Sequence, residues 1–296
     1  MRKKIAILGS TGSIGQSSLD IIKKNSKEFN IILLSANSNY TLIKKQIKKF
    51  KPKFFVINDF KVFNRVKKIC KNNKIKIFNK FSEIPMSKVK FDITISSIVG
   101  IAGLEPTIKF IKKSKKLLLA NKETIICGWH IIKNLCKKNK CEIVPIDSEH
   151  FSIDQLTKNH NDKDVKKIYI TASGGPFLNK PLKYFKKIKV HNAIKHPKWK
   201  MGKKISIDSS TLMNKILELI EAQKLFNISI KKLEILIHPD SLVHAIVQLK
   251  NGLTKIIFHE TSMIIPLANA IFDNNLDISD FSKNNKKLQS DFQKNI

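Results

Sequence analysis

No run of about 18 consecutive apolar residues occurs, the length a helix needs to cross a bilayer, so a membrane-spanning helix is excluded. The opening stretch, MRKKIAILGSTGSIG, has too short an apolar segment for a signal peptide, and a glycine motif follows it at once. The fold is therefore expected to begin near Lys3 with nothing to be cleaved. Cysteine is scarce. Cys70, Cys127, Cys136 and Cys141 form no CxxC pair and no zinc spacing, which points to reduced thiols in a cytosolic compartment. No internal repeat is present. Acidic residues are few, 23 against 56 lysines and arginines, for a net charge of +33. Charge of that size can mark a nucleic-acid partner. Here the lysines are spread over nearly every segment, for example at Lys44, Lys48, Lys112, Lys166, Lys186 and Lys231, together with abundant Ile and Asn. No RNP-like motif, zinc finger or basic-region helix accompanies them. We read the excess as drift toward Lys, Ile and Asn, of the kind an AT-rich genome produces. Such a surface still attracts an anionic substrate and cofactor.

What is present is enough for two domains: 296 residues, 42% of them hydrophobic. Short apolar strands are expected at residues 4–8, 31–35, 54–57, 75–78, 92–96, 116–120 and 142–146, with helical segments between them, including 14–24 and 40–50. Alternation of this kind implies a doubly wound parallel sheet of α/β class, placed at residues 1–145. The second half changes character. A strand at 167–171 precedes SGGP, a Pro- and Lys-rich loop over about 180–203, and a helix at about 210–225. Strands at 234–237, 241–249 and 255–259 then suggest a mixed sheet in a second, α+β domain over 146–273, followed by a polar tail at 274–296.

GSTGSIG follows the first strand and opens the first helix, the context a dinucleotide fingerprint requires. Gly9 permits the tight turn, Gly12 close approach of a pyrophosphate, and Gly15 the packing of helix on strand. Backbone N–H groups and the helix N-terminus then face negative charge. After the second strand the sequence reads Ser35-Ala36-Asn37-Ser38-Asn39, without the carboxylate an NAD enzyme places near the ribose hydroxyls, which argues for NADP.

Two further groups of residues carry chemistry. Asp147-Ser148-Glu149 follows an apolar strand, and in an extended chain residues i and i+2 point the same way. Asn214, Glu218 and Glu221 share one helix face with Lys215 beside them. Together they offer an all-oxygen site for Mg²⁺ or Mn²⁺, although DxE is common by chance and surface carboxylates usually face only water. Ser173-Gly174-Gly175-Pro176 with Ser209, Asn214 and Lys215 forms a plausible phosphate cradle, or an ordinary turn and a helix cap at Ser209 or Ser210. His196, Trp199 and Met201 lie on the patternless loop, where the indole is either a core anchor or a cover for a ligand.

The strings ILGSTGSIG, ANKE (120–123), PIDSEH (145–150), SGGPF (173–177), HPKWKMGKKISIDSSTLMNK (196–215) and LIHPDSLVH (236–244) resemble, in order, those of the 1-deoxy-D-xylulose 5-phosphate reductoisomerase family. The resemblance covers about residues 3–272. It implies a cytoplasmic homodimer with a Rossmann-like first domain. The activity it implies is NADPH- and divalent-metal-dependent rearrangement and reduction of 1-deoxy-D-xylulose 5-phosphate to 2-C-methyl-D-erythritol 4-phosphate, a step in isoprenoid precursor synthesis. Thr11, Gly12, Ser13, Ile14, Asn39, Asn121, Glu123 and Gly202 match cofactor positions. Asp147, Glu149 and Glu218 match metal ligands. Lys122, Ser148, Ser173, His196, Ser209, Asn214, Lys215 and Glu218 match substrate positions, with Lys122, Glu149 and His196 as the candidate catalytic groups. Trp199 and Met201 match a loop that closes over substrate, and His150 and His244 fall near the site without an assigned role.

Departures are also visible. Asn37-Ser38 stands where a Gly-Lys pair is usual, so the preference for NADPH over NADH is expected to be smaller than the family pattern implies. Thr261-Ser262-Met263-Ile264 lacks the usual acid and arginine, and from the polar tail the family's C-terminal helical domain is expected to be missing. Two other readings stand beside this one. An NADP oxidoreductase acting on semialdehydes would need a catalytic cysteine motif, and none is present. A non-catalytic chain whose basic surface binds nucleic acid would have no reason to keep the metal and phosphate positions.

Overall fold

The computed structural model describes residues 1–70, 74–85, 89–199, 202–278 and 281; Met201 and most of the polar tail lie outside them. The chain divides into two compact units, Met1–Pro145 and Ile146–Ile296. The first unit runs β1 (Lys3–Leu8), α1 (Ser13–Lys24), β2 (Phe29–Ala36), α2 (Tyr40–Phe50), β3 (Phe54–Ile57), α3 (Phe60–Ile69), β4 (Lys76–Phe78), β5 (Phe91–Ser96), α4 (Leu104–Ile111), β6 (Ser114–Leu119), α5 (Lys122–Asn139) and β7 (Glu142–Pro145). All seven strands pair in parallel, in the order β4-β3-β2-β1-β5-β6-β7. The expectation of a doubly wound parallel sheet is borne out.

Local chemistry explains the elements. The strands are unbroken apolar runs, such as Ile5 to Leu8 at 0% exposure, because helices cover both faces. α2 buries Ile43, Gln46 and Ile47, at helical spacing, while its lysines face out. It begins where the Asn39 side chain accepts from the Leu42 N–H, and it ends at Lys51 in the left-handed region. On one face Ala6, Leu8, Leu33, Phe54, Val56, Phe91 and Phe110 form a continuous core. Phe110 lies across Phe91 with ring centroids 5.5 Å apart, and a buried phenylalanine of this kind is worth about 3–5 kcal/mol.

The second unit comprises α6 (Ser148–Thr157), β8 (Val165–Ala172), α7 (Val190–Ala193), α8 (Lys203–Ser210), α9 (Met213–Phe226), β9 (Leu233–Ile237), β10 (Val243–Leu249), β11 (Thr254–Phe258) and α10 (Ile264–Phe272). Its four strands are ordered β11-β10-β8-β9, with β8 and β9 parallel and the other two pairs antiparallel. The expected mixed sheet is therefore present. α6 and α9 cover one face, over Ile168, Ile170, Leu233, Ala245 and Val247. On the other face the register aligns Ile256, Ile246 and Tyr169 in one row, and Ile256 is 54% exposed.

Three local expectations need correction. The Asp147 segment is not extended through Glu149: the strand stops at Pro145, Asp147 is the N-cap, and Ser148 starts α6. The helix expected at about 210–225 is α9, which starts at Met213, and a separate helix, α8, that the sequence did not announce precedes it. Thr211 ends α8, and Leu212, in the left-handed region at φ 60°, starts α9. Ser209 and Ser210 therefore lie at the end of α8 and cap neither helix at its start. The patternless loop at 180–203 also holds two short helical turns, Leu182–Lys187 and α7.

Candidate active site

The first unit offers a site made of backbone. β1 lies between β2 and β5, where the strand order reverses, and it is at the carboxyl ends of the strands beside such a reversal that open α/β sheets hold their ligands. The glycine loop leaves β1 at this point. Gly9 has φ 89°, and a side chain on it would meet the Ser97 carbonyl oxygen at 2.8 Å. The Gly9 and Ser10 N–H groups both donate to the Ser35 carbonyl, at 3.2 and 2.7 Å. Buried Ser10 donates to Gln46 Oε1 at 2.7 Å, and Gln46 Nε2 returns to the Ser10 carbonyl at 2.8 Å, locking the loop to α2. Nothing in the sequence marked Gln46; a glutamine among apolar helix positions was the available signal.

Gly12 caps α1 without a side-chain bond, and no acid stands in the first turn, so the helix start presents N–H groups and positive dipole toward any anion. Thr11, Ser13 and Ile14 line this start. Asn39 follows β2 and Asn121 to Glu123 follow β6, at the same carboxyl edge of a parallel sheet. Asn121 is structurally committed. Its Oδ1 accepts from the Thr124 N–H at 2.9 Å, and its Nδ2 donates to the carbonyls of Gly100, at 2.7 Å, and Ile98. Lys122 is buried at the first position of α5, with Glu123 half-buried beside it.

In the second unit side chains do the work. Asp147, Glu149 and Glu218 bring carboxylate oxygens within 4.8 Å of one another. α6 supplies the first two and α9 the third, with Glu218 only 1% exposed. Lys215, one turn before Glu218, places Nζ 2.5 Å from Glu149 Oε1 and 2.6 Å from Glu218 Oε2. Asn214 Nδ2 donates to Glu218 Oε1, and Ser148 Oγ donates to Glu149 Oε2 at 2.7 Å. Burial, only partly offset by Lys215, pushes Glu149 up to about 7, with Glu218 and Asp147 adding to the rise. Burial opposes charge on Lys215 as well, but Glu149, Glu218 and Asp147 outweigh it and hold the ammonium firmly protonated. For His150 burial is likewise outweighed, by Glu221 and then Asp147, and its pKa stands at about 9.

The phosphate candidates gather in the same unit. Gly174 and Gly175 both have positive φ, and a side chain on Gly175 would meet the Ser209 carbonyl oxygen at 2.6 Å, so the bare turn lets the Ser173 segment lie against the end of α8. His196 Nδ1 accepts from the Trp199 N–H at 2.9 Å and the Lys198 N–H at 3.2 Å, which leaves Nε2 to donate to Ser173 Oγ at 2.9 Å. Burial, with Lys215 behind it, lowers the His196 pKa and keeps the ring neutral. Trp199 is half-buried and meets His244 edge-on, with centroids 5.9 Å apart. His244 in turn stacks on His259 at 3.7 Å. Burial, then His259, lowers His244 well below its usual range, and burial takes His259 down to about 4. Gly202 is exposed at the start of α8, away from any close neighbour.

Comparison with known proteins adds a separate line. Residues 5–128 match the profile of 1-deoxy-D-xylulose 5-phosphate reductoisomerase, and residues 143–226 match that of its C-terminal domain. The chain is 52% identical over 275 residues to the 1-deoxy-D-xylulose 5-phosphate reductoisomerase of Pelagibacter ubique (strain HTCC1062), covering 92% of this chain and 71% of that one. It is 43% identical to the protein of that name from Wolbachia sp. subsp. Drosophila simulans (strain wRi), over 91% and 69%. Among solved structures, a reductoisomerase in complex with NADPH, fosmidomycin and magnesium superposes with a TM-score of 0.87 at 33% identity, over 94% of this chain and 71% of that one. The Zymomonas mobilis enzyme in complex with NADPH gives 0.86 at 34% identity, over 98% and 76%. An archaeal homoserine dehydrogenase, at 13% identity and a TM-score of 0.60, shares the fold alone. The chain thus spans about seven-tenths of the length of the curated relatives it matches.

Proposed function

The chain belongs to the 1-deoxy-D-xylulose 5-phosphate reductoisomerase family, and on that premise we propose how its residues divide the reaction, NADPH- and metal-dependent conversion of 1-deoxy-D-xylulose 5-phosphate to 2-C-methyl-D-erythritol 4-phosphate. The observation that carries the proposal is the buried carboxylate cluster. Three carboxylates face one ammonium, a hard, all-oxygen donor set that suits Mg²⁺ or Mn²⁺. Asp147, Glu149 and Glu218 would hold that cation, and Thr11 to Ile14 with Asn39, Asn121, Glu123 and Gly202 would hold NADPH. When bound, the cation supplies Lewis acidity at the substrate's carbonyl and hydroxyl oxygens, and NADPH supplies the hydride.

The chain's own groups do the rest. Lys215 rests on Glu149 and Glu218, neutralising part of the cluster; beside Asn214, Ser173 and Ser209 it forms the cationic end of a phosphate cradle. His196 is held neutral with Nε2–H pointing out, a donor for substrate oxygen in exchange for Ser173. Lys122, buried at a helix start, is the candidate proton-bearing group. Trp199 covers the bound substrate from the His196 loop and excludes water. Ser148 orients Glu149.

Two finer features belong to the same proposal. The apolar row Ile256, Ile246 and Tyr169, with Ile256 54% exposed, suits a second copy of the chain, in a homodimer. Among the described residues no helix is long and apolar enough to cross a membrane, and a cytoplasmic location agrees with the free cysteines. The alternative of a non-catalytic, nucleic-acid-binding chain has no support in a site whose charged groups are buried and mutually paired.

NADPH oxidation dependent on both the substrate and Mg²⁺ or Mn²⁺ is the direct test. Glu218→Gln keeps shape and removes charge, and should lower turnover by about 10³-fold, the several kcal/mol a metal's Lewis acidity supplies. Wild-type turnover by that variant after exhaustive chelation would rule the cation site out.

A further inference from the structure

Of the 56 basic residues only Arg2 and Arg65 carry a guanidinium, and Arg2 lies ahead of β1. Arg65 is exposed on the second turn of α3, with Cζ 3.8 Å from the centre of the Tyr40 ring. Tyr40 opens α2, and its N–H donates to the Ser38 carbonyl at 2.8 Å. The segment after β2 is tied to the start of α3 as well. Asn58 N–H donates to the Ala36 carbonyl at 3.1 Å, and Asp59 N–H to the Asn37 carbonyl at 3.3 Å. Through Tyr40 the guanidinium is therefore held beside the Asn37-Ser38-Asn39 segment, at the carboxyl end of β2. That is where a dinucleotide fold reads the adenosine ribose, with a carboxylate for the hydroxyls of NAD or an arginine for the 2′-phosphate of NADP. No acid stands between Ser35 and Asn39. The one acid from Phe29 to Cys70, Asp59, uses Oδ1 to cap α3, accepting from the Val62 N–H at 2.8 Å.

We propose that Arg65 binds the adenosine 2′-phosphate of NADPH and is the residue by which this chain separates NADPH from NADH. This rests on reading the glycine loop and the β2 edge as the cofactor site. Stacking on Tyr40 occupies the face of the guanidinium and leaves its in-plane N–H donors for an anion, and a phosphate accepts two of them side by side. A lysine cannot do both, because its ammonium has no plane to stack. Half-buried Tyr40 also holds the group in place before the cofactor arrives, which lessens the entropy lost on binding. Ser38 stands where a lysine is usual in the family, and an arginine from the next helix supplies the missing cation. Selectivity for NADPH is thus kept by α3 instead of the turn after β2.

Binding of NADPH and of NADH to the whole chain, followed by nicotinamide fluorescence in the absence of substrate, tests this. The wild type should bind NADPH more tightly than NADH, and salt should shrink the difference because the guanidinium is exposed. Arg65→Gln should weaken NADPH by about tenfold or more, through the loss of charge-assisted hydrogen bonds, and leave NADH unchanged. Arg65→Lys should recover only part of the NADPH affinity. Tyr40→Leu keeps the guanidinium but removes its platform, and should fall between wild type and Arg65→Gln. Equal weakening of NADPH and NADH by Arg65→Gln, or no change in either, overturns the proposal. So does a loss of selectivity in Lys61→Gln that Arg65→Gln does not share, because Lys61 is the other cation near the start of α3. Equal affinity of the wild type for the two dinucleotides overturns it too. A wild-type chain that binds neither defeats the cofactor reading itself, a distinct result.

Discussion

The two units build their candidate sites from different atoms. In the first, the working surface is backbone: a positive-φ glycine, a helix start without a cap, and carbonyls that tie the loop to its neighbours. In the second it is side chains, with carboxylates, an ammonium and imidazoles interlocked and largely out of water. A backbone site has little charge to titrate but no room for an added atom. A side-chain site tolerates small steric change but depends on every proton. The two should therefore fail under different insults.

The largest expected effect is one of pH, and it belongs to the second unit. His259 is buried neutral with a pKa of about 4, against about 6.5 in an unfolded chain. Its depressed value means that its contribution to stability is fully present above pH ~6.5 and is lost as pH falls through ~4, a swing of about 3 kcal/mol. His244 acts in the same sense. Glu149, pushed up to about 7, acts in the opposite sense over part of that window, so the readout is the difference between wild type and His259→Phe. The phenyl ring keeps the stack on His244 and removes the proton. Denaturant unfolding at several pH values should show the variant gaining on the wild type from pH 6.5 down to 4. Parallel curves would show that His259 takes up its proton alike in the folded and unfolded chain, so that burial does not hold it neutral.

Steric crowding should be the first unit's weakness. An added methyl on Gly15 would lie 2.4 Å from the Gly9 carbonyl oxygen and 2.6 Å from Ser10 Cα, and both are backbone atoms that cannot swing aside. Gly15→Ala should cost about 1–3 kcal/mol and displace the loop, so that NADPH binding, followed by its fluorescence, weakens as well. Undiminished NADPH affinity would mean that the loop's position is not what the cofactor reads.

Trp199→Ala should have the smallest effect on folding and a clear one on binding. The indole is half-buried and touches His244 by its edge. Its loss should raise the KM for substrate about tenfold, roughly the 1.4 kcal/mol of a modest apolar contact, with unliganded stability changed by less than about 1 kcal/mol. A core tryptophan would cost about 3–5 kcal/mol, and a fall of that size in thermal unfolding would move Trp199 from lid to core.

The same contrast governs what could be read in advance. The glycine loop, its strand and its helix are neighbours in sequence, so period and spacing alone located them within about a turn. The strand and helix boundaries of the first unit follow for the same reason: apolar runs and caps such as Asn39 and Asp59 are local signals. The break between α8 and α9 was not legible. It depends on Leu212 accepting a left-handed backbone, a strain that no local pattern in DSSTLMNK announces.

By itself the sequence determined the parallel sheet, the mixed sheet, the glycine loop and, through its motif strings, the family. It could not place Lys215 on Glu149, because 66 residues separate them and no period connects a helix to a distant helix start. It named Asp147 and Glu149 for a reason that does not hold, an extended chain, where the geometry uses a helix N-terminus instead. Nor could it pair His150 with Glu221, or His244 with His259. Those contacts exist only once α6, α9 and the sheet pack together, and it is the water this packing excludes that turns ordinary carboxylates and imidazoles into a coupled set.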